Sequence, residues 1–273
     1  MDTPGFDDEK ISDADILKLI ATSLVDAFND EADIQGALYV HPVTEARMRG
    51  SGRKNLTTFK MMLGMKSMSH CRLVTSKWSL QPDSVSTARE QELCEQDEFW
   101  KPLITAGAQT VRFRDNMQSA IEIIKPLVHG PTFKPLLIEE VVEEQKALPQ
   151  TQAGQVVADD VQELQKAHTA EIENLKVQEL KFREARDKEF EELVRAERQG
   201  LEAKVRQLEK DKLVLAEPIV TKSSGRFGRW IARGCAAAVG AVMTVVSGGM
   251  LAPAAMLLYG ATETGAQIHR STR

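Results

Sequence analysis

Side chains that could do chemistry are scattered along the chain and form no familiar catalytic set. No Ser/His/Asp or Cys/His arrangement has supporting context, and none of the 273 residues forms a phosphate loop of the pattern G-x-x-x-x-G-K-[ST]. His70 and Cys71 are neighbours in a predicted strand, so they point to opposite faces and cannot chelate one metal ion. More informative is the tetrapeptide Asp-Thr-Pro-Gly, from Asp2 to Gly5, whose composition alone is typical of a turn.

The remaining polar candidates have ordinary structural interpretations. His41 precedes Pro42 and is predicted to be a strand-end histidine. Lys77 follows a predicted strand, where a solvated lysine is the simplest expectation. The acidic run from Glu139 to Glu144 is predicted to be a solvated helix face.

Composition indicates a globular chain of one or two domains. Hydrophobic residues make up 42% of it, and the net charge is −5, which gives no indication of nucleic-acid binding. The last 55 residues reverse this balance, with six Lys/Arg against one Glu from Ile219 onward. Three scattered cysteines, Cys71, Cys94 and Cys235, fit a reducing compartment better than a disulfide framework. The polar, acidic N-terminus does not read as a secretory signal peptide.

The first 130 residues alternate between helical and strand patterns. Periodicity predicts helices over 12–29, 55–63, 88–100 and 119–128, and strands over 35–41, 70–75 and 109–113. Helices that alternate with strands are typical of a parallel, doubly wound sheet. Three strands are only part of such a sheet, so we expect the 35–41 strand to have an unpaired edge.

The order of motifs in this segment resembles a known family. Five segments occur here in the order that is typical of the G domains of a fungal GTPase-like family. They are DTPGFDD, GALYVHPVTEARMRGSGRKNLTTFK, LVTSKW, FWKPL and a final helix that contains AIEII. That family is related to the immunity-associated nucleotide-binding proteins and, more distantly, to septins. The resemblance implies a P-loop NTPase fold over residues 1–130 and binding of GTP with Mg²⁺ in complete members. It assigns Asp2 to the Mg²⁺ shell, Gly5 to sensing of the γ-phosphate, and Lys77 to the base and ribose.

The chain departs from the family pattern in two ways. The phosphate loop, switch I and the first three strands have no counterpart, so we expect this chain to bind GTP weakly or not at all and not to hydrolyse it. A clipped gene product and a true loss would look alike in the sequence. The base-recognition segment Asn-Lys-x-Asp becomes Ser76-Lys77-Trp78-Ser79, so a serine stands where a carboxylate would accept hydrogen bonds from guanine.

Residues 131–154 are predicted to be a linker and 155–217 a long charged helix. From Gln155 to Glu217 there is no proline and Gly200 is the only glycine, while apolar residues recur at spacings of three and four. An irregular stripe of this kind indicates a coiled coil that brings chains together. A single charged helix and a helix folded back on the α/β segment remain alternatives.

The C-terminal part is predicted to be a basic linker over 218–233 and an apolar, Gly/Ala-rich helical tail over 234–262. Arg226, Arg229, Trp230 and Arg233 suit a membrane interface. Gly248-Gly249 and Pro253 divide the apolar run, which allows a kinked span, a shallow hairpin or a helical hairpin packed on protein.

The sequence thus predicts a partial Ras-like α/β domain with about three parallel strands, a helical stalk and an apolar tail. We expect a cytoplasmic GTP-binding protein that self-associates through 155–217, with attachment to a membrane through 226–262 still open. The competing function is that of a non-enzymatic coiled-coil adaptor with a degenerate G domain.

Overall fold

A computed structural model describes residues 3, 5, 6, 10–45, 48, 50–219 and the backbone of 241–246. The described chain is a mixed α/β protein with mostly helical content and one parallel sheet. Its strands are β1 (Ile34–Pro42), β2 (Cys71–Ser76), β3 (Gln109–Arg112) and β4 (Ala241–Val246). Its α-helices are α1 (Asp13–Asn29), α2 (Gly50–Leu63), α3 (Asp83–Glu95), α4 (Lys101–Thr105), α5 (Met117–Val128), α6 (Leu136–Ile138), α7 (Gln152–Glu184) and α8 (Lys188–Ala216).

The parallel sheet predicted from the sequence is confirmed, in the order β3-β2-β1-β4. Alternate residues of β1 enter two hydrophobic cores, because successive side chains of a strand point to opposite faces. Tyr39 joins the larger core with α1 and α2, whereas Leu38 and Val40 join the smaller core with α5. Gly36 allows α5 to approach, since a Cβ there would lie 2.8 Å from the Leu127 side chain.

Two predicted helix boundaries are wrong. The helix expected over 55–63 is α2, which begins five residues earlier, at Gly50, and ends at Leu63. The helix expected over 88–100 is instead α3, which begins at Asp83 and ends at Glu95. The chain then turns, and the amide of Trp100 donates to the carbonyl of Leu93 at 2.9 Å, which buries the indole.

Residues 131–154, expected to be a linker, pack as part of the main core. Leu137, Ile138 and Leu148 are almost fully buried in it. Glu140, expected to be solvated, is 1% exposed and accepts hydrogen bonds from the Gln152 amide, at 3.1 and 3.2 Å to its two oxygens. A carboxylate at the first residue of α7 satisfies an orphan amide and interacts favourably with the helix dipole.

The helix expected over 155–217 is broken at residues 185–187, so α7 and α8 form an antiparallel helical hairpin. Contacts between Glu179 and Arg198 and between Gln165 and Lys212 define the antiparallel pairing. The hairpin folds back on the α/β region, where Val157 and Val161 of α7 and Leu215 of α8 join the main core. Of the alternatives predicted for this segment, the structure therefore shows a helix that folds back on the α/β region, except that two helices form it.

The tail departs from the helical expectation over the six residues that are described. Residues 241–246 form β4, which pairs in parallel with β1 from Ile34 to Val40. The β1 edge, which was expected to be unpaired, is therefore covered. Arg226, Arg229, Trp230 and Arg233 lie outside the described residues, and membrane attachment stays a prediction. Within the described part of the chain, no helix is both long enough and apolar enough to cross a membrane.

Candidate functional site

The carboxyl ends of the parallel strands are where this sheet can present a ligand site. β1, β2 and β3 follow one another outward in the sheet, whereas β4 lies on the other side of β1. In open α/β sheets, ligands bind in the crevice outside the carboxyl ends of the strands. At this edge, the turns that follow β2 and β3 carry polar side chains that could contact a ligand.

Lys77 occupies the first position after β2 in a left-handed conformation, with φ of 62°. Such a conformation is uncommon for a residue with a Cβ and costs free energy, so the surroundings must hold it. Trp78 holds the turn, because its buried indole Nε1 donates to the carbonyl of Thr75 at 3.2 Å and to the Thr75 hydroxyl at 3.1 Å. Lys77 itself is half-buried.

A network of charged and polar side chains holds the turn at residues 77–79 in place. The buried carboxylate of Glu90 on α3 accepts from the Thr75 hydroxyl at 2.9 Å and from Arg112 Nε at 2.8 Å. The Arg112 guanidinium lies 4.2 Å from the centre of the Trp78 ring, a cation–π contact that joins β3 to the turn. The members of this network are engaged with one another, so the network positions the turn.

The turn after β3 brings a carboxylate to the turn after β2. Asp115 also has a positive φ, 54°, and its Oδ2 accepts a hydrogen bond from the hydroxyl of Ser79 at 3.2 Å. Both side chains are exposed at the edge of the sheet. Ser79 stands where the family pattern has an aspartate. The carboxylate of Asp115, from the loop after β3, lies beside it.

Gly5, another residue assigned by resemblance, precedes a residue that contacts α2. Gly5 is half-buried, and the carbonyl of the following residue, Phe6, accepts from Asn55 Nδ2 of α2 at 3.3 Å. Phe6 itself is 1% exposed and belongs to the main core. Asp2 lies outside the described residues. The structure thus brings Asp115 to Ser79, two residues after Lys77, whereas the contact near Gly5 is made by the neighbouring Phe6.

His41 lines a small cavity at the carboxyl end of β1. The cavity encloses about 10 Å³ and is lined by Met48, Arg89 and Phe99 among others, which is room for about one water molecule. Arg89 closes it by donating to the carbonyls of Val43 and Thr44, both at 2.9 Å. A nucleotide does not fit in this cavity.

His70 and Cys71, where β2 begins, take part in packing. The His70 ring stacks on Phe133 with centroids 4.8 Å apart. Burial raises the pKa of the Cys71 thiol to about 12, so the thiol is protonated at neutral pH. Within the described ranges, no three His, Cys, Asp or Glu side chains gather as metal ligands.

Sequence reasoning missed Asp115 and the Glu90 network. Asp115 follows Arg-Phe-Arg in the chain, 36 residues after Ser79, and nothing in that spacing indicates contact. The available signal was topological: neighbouring parallel strands bring the loops at their carboxyl ends together.

Comparison with known proteins supplies no relative for this arrangement. No protein-family model matches the chain, and neither does any curated protein or any solved structure. The chemistry of the site therefore has to follow from its own residues.

Proposed function

We propose that this chain is a GTP-binding protein of the GTPase-like family. In this proposal the residues that recognise the guanine base are retained, whereas those needed for efficient GTP hydrolysis are not. The proposal rests on the resemblance of residues 1–130 and on one observation, the carboxylate of Asp115 beside Ser79. A parallel sheet with Lys77 at its carboxyl edge is compatible with it.

Guanine presents two neighbouring N–H donors, and one carboxylate can accept a hydrogen bond from each of them. Asp115 offers two oxygens, and the Ser79 hydroxyl occupies only part of their accepting capacity. The aliphatic stem of Lys77 would lie along the base, with its charge directed to the sugar and phosphates. Because the sequence contains no phosphate loop, we expect weak binding and negligible turnover.

The test is a titration of the full chain with fluorescent analogues of GTP, ATP and XTP. Asp115→Asn replaces an acceptor by a donor, so we expect the preference to shift from guanine to xanthine by about tenfold or more. Asp97→Asn is the matched control, since Asp97 is exposed and pairs with Lys101 at 2.9 Å. An unchanged preference in Asp115→Asn would remove Asp115 from the proposal. No preference for GTP over ATP in the native chain would remove the proposal itself.

A non-enzymatic adaptor is the second candidate, favoured by the surface of the α7–α8 hairpin. Val177, Leu180, Phe190 and Leu193 are each more than half exposed there. Apolar side chains gathered on one element often mark a protein-binding surface. The same titration separates the two candidates, because an adaptor with a degenerate domain predicts no discrimination among the three nucleotides.

A further inference from the structure

The edge of β1 that faces β4 belongs to a central strand of the sheet. β1 packs on both faces: Tyr39 is 0% exposed in the larger core, and Leu38 and Val40 are 8% and 6% exposed in the smaller one. The backbone of a strand packed in this way needs a neighbour along each edge, because an open edge leaves amides and carbonyls unpaired. β2 lies along one edge of β1 in six consecutive pairs, and β4 lies along the other.

β4 fits its edge less regularly than β2 fits the opposite one. Consecutive pairs with β4 run from Gly36 to Val40 of β1, but the register shifts between Ile34 and Gly36. Gln35 lies at this irregularity, and its buried Oε1 has no hydrogen-bond partner among the residues that the structure describes. A buried acceptor without a partner costs free energy, so a strand that supplied a donor at this point would be held more tightly than β4.

β4 is joined to the rest of the protein by a long stretch of chain. Residues 217–240, which number 24, separate it from the end of α8, and β1 is the one described strand that it pairs with. Tethering gives a segment an effective concentration on the order of 1 mM at its site. A strand of modest intrinsic affinity therefore occupies the edge as long as it is tethered beside it.

We propose that the β1 edge is a strand-acceptor site, which β4 occupies from within the chain and from which a segment of another protein displaces it. Such a site recognises backbone, because an added parallel strand extends the ladder of amides and carbonyls. The partner is an extended, uncharged segment of about six residues that runs parallel to β1, since Ala241–Val246, the segment now on the edge, has this chemistry. The proposal is independent of nucleotide binding.

A second copy of this chain is not the partner that the site favours. Its strand is identical to β4, so it gains no additional contact with β1 and lacks the advantage of the tether. A foreign segment overcomes the tether by fitting the edge better, and the unpaired Oε1 of Gln35 is one place where it gains a hydrogen bond.

The probe for this site is a fluorescent peptide of residues 239–248, titrated into the full native chain and into full-length Met243→Pro/Thr244→Pro. Successive amides of a strand point to opposite edges, so this pair of prolines removes one amide that faces β1. We expect the proline variant to bind the peptide at least tenfold more tightly than the native chain, because its own strand no longer competes. Ala254→Pro/Ala255→Pro, outside β4, is the matched control and should bind as the native chain does.

Two results of this titration would overturn the proposal. One is equal affinity of the native chain and the β4 variant for the peptide. The other is equal binding of a peptide that itself carries the two prolines, since that peptide cannot extend the ladder.

Hydrogen exchange in the native chain gives a readout that needs no variant. Excess peptide should displace the tail strand, so the amides of 241–246 should exchange faster while those of 34–40 stay protected. Unchanged exchange in 241–246 under millimolar peptide would contradict displacement. Exchange of tail strands between isotopically labelled and unlabelled copies, in the absence of peptide, would assign the site to a second copy and would also overturn the proposal.

Discussion

Burial decides the chemistry of His41, which the sequence predicts to be a strand-end histidine. The ring is 2% exposed and packs edge-on against Trp100, with centroids 6.2 Å apart. Burial lowers the pKa of His41 to about 4, because the surroundings disfavour the charged imidazolium. The carboxylate of Glu45 lies 4.0 Å away at the edge of solvent, which is too far and too hydrated to reverse the effect. His41 is therefore neutral at pH 7 and serves the core.

This burial makes stability depend on pH through His41. Unfolded chains bind a proton at His41 below about pH 6.5, whereas the folded chain resists it down to about pH 4. The stability contributed by the neutral ring is present above pH 6.5 and is lost as the pH falls through this window. We expect His41→Gln to remove about 2–3 kcal/mol of the loss between pH 7 and 4.5, measured by urea unfolding at both pH values.

The exposed His129 provides the control for this measurement. His129→Gln removes a histidine without changing a buried site, so its stability should fall with pH as in the native chain. If His41→Gln and the native chain lose equal stability on acidification, His41 is not the source of the pH dependence.

At the scale of elements, the α7–α8 hairpin depends on a narrow buried seam. Leu175 is 4% exposed, whereas Leu180, five residues further along the same helix, is 54% exposed. The two leucines are chemically identical, so a comparison between them isolates the effect of burial. Charged contacts around Glu179 flank this seam, and hydrogen bonds from Arg195 and Arg198 lower the pKa of Glu179.

Truncation of the buried leucine should therefore destabilise the hairpin far more than truncation of the exposed one. We expect Leu175→Ala to cost about 2–3 kcal/mol through lost transfer energy and a residual cavity. Leu180→Ala should change stability by no more than about 0.5 kcal/mol. Thermal unfolding followed by circular dichroism measures both. Similar melting temperatures for the two variants would mean that α7 and α8 are not paired along this seam.

At the scale of the whole molecule, one lysine joins three helices. Lys54 of α2 contacts Asp13 of α1 at 2.6 Å and Asp160 of α7 at 2.7 Å, and its side chain is 20% exposed. Burial alone would lower the pKa of Lys54, but Asp13 and then Asp160 outweigh it and raise the pKa. The stabilisation from this cluster is therefore present below the ordinary lysine value and is lost only as the pH rises through the raised pKa.

Removal of this charge should loosen the hairpin from the α/β region. Lys54→Met leaves two partly buried carboxylates close together without a cation, and we expect a loss of about 2 kcal/mol or more. Hydrogen exchange should rise first in the opening turns of α7. Lys101→Met is the control, because its pair with Asp97 is exposed and contributes little. Unchanged exchange in α7 would show that apolar contacts alone hold the hairpin in place.

Local patterns in the sequence determined much of this architecture. Alternating helices and apolar strands predicted α1, β1, β2, β3 and α5 close to their observed bounds, because periodicity and capping are properties of neighbouring residues. No proline or glycine marks the hairpin break at residues 185–187. Its position depends on the packing of α7 against α8, which no local pattern records.

Only the tertiary structure decided the features that involve distant residues. The sequence predicted that residues 241–246 belong to a helix. In the structure they form a strand along the edge of β1, where their backbone amides and carbonyls find partners. Glu140 read as solvated, yet it caps α7. Asp115 reaches Ser79 because adjacent parallel strands bring their following loops together. Residue spacing along the chain carries no information about such contacts, since they arise from the order of strands in the sheet.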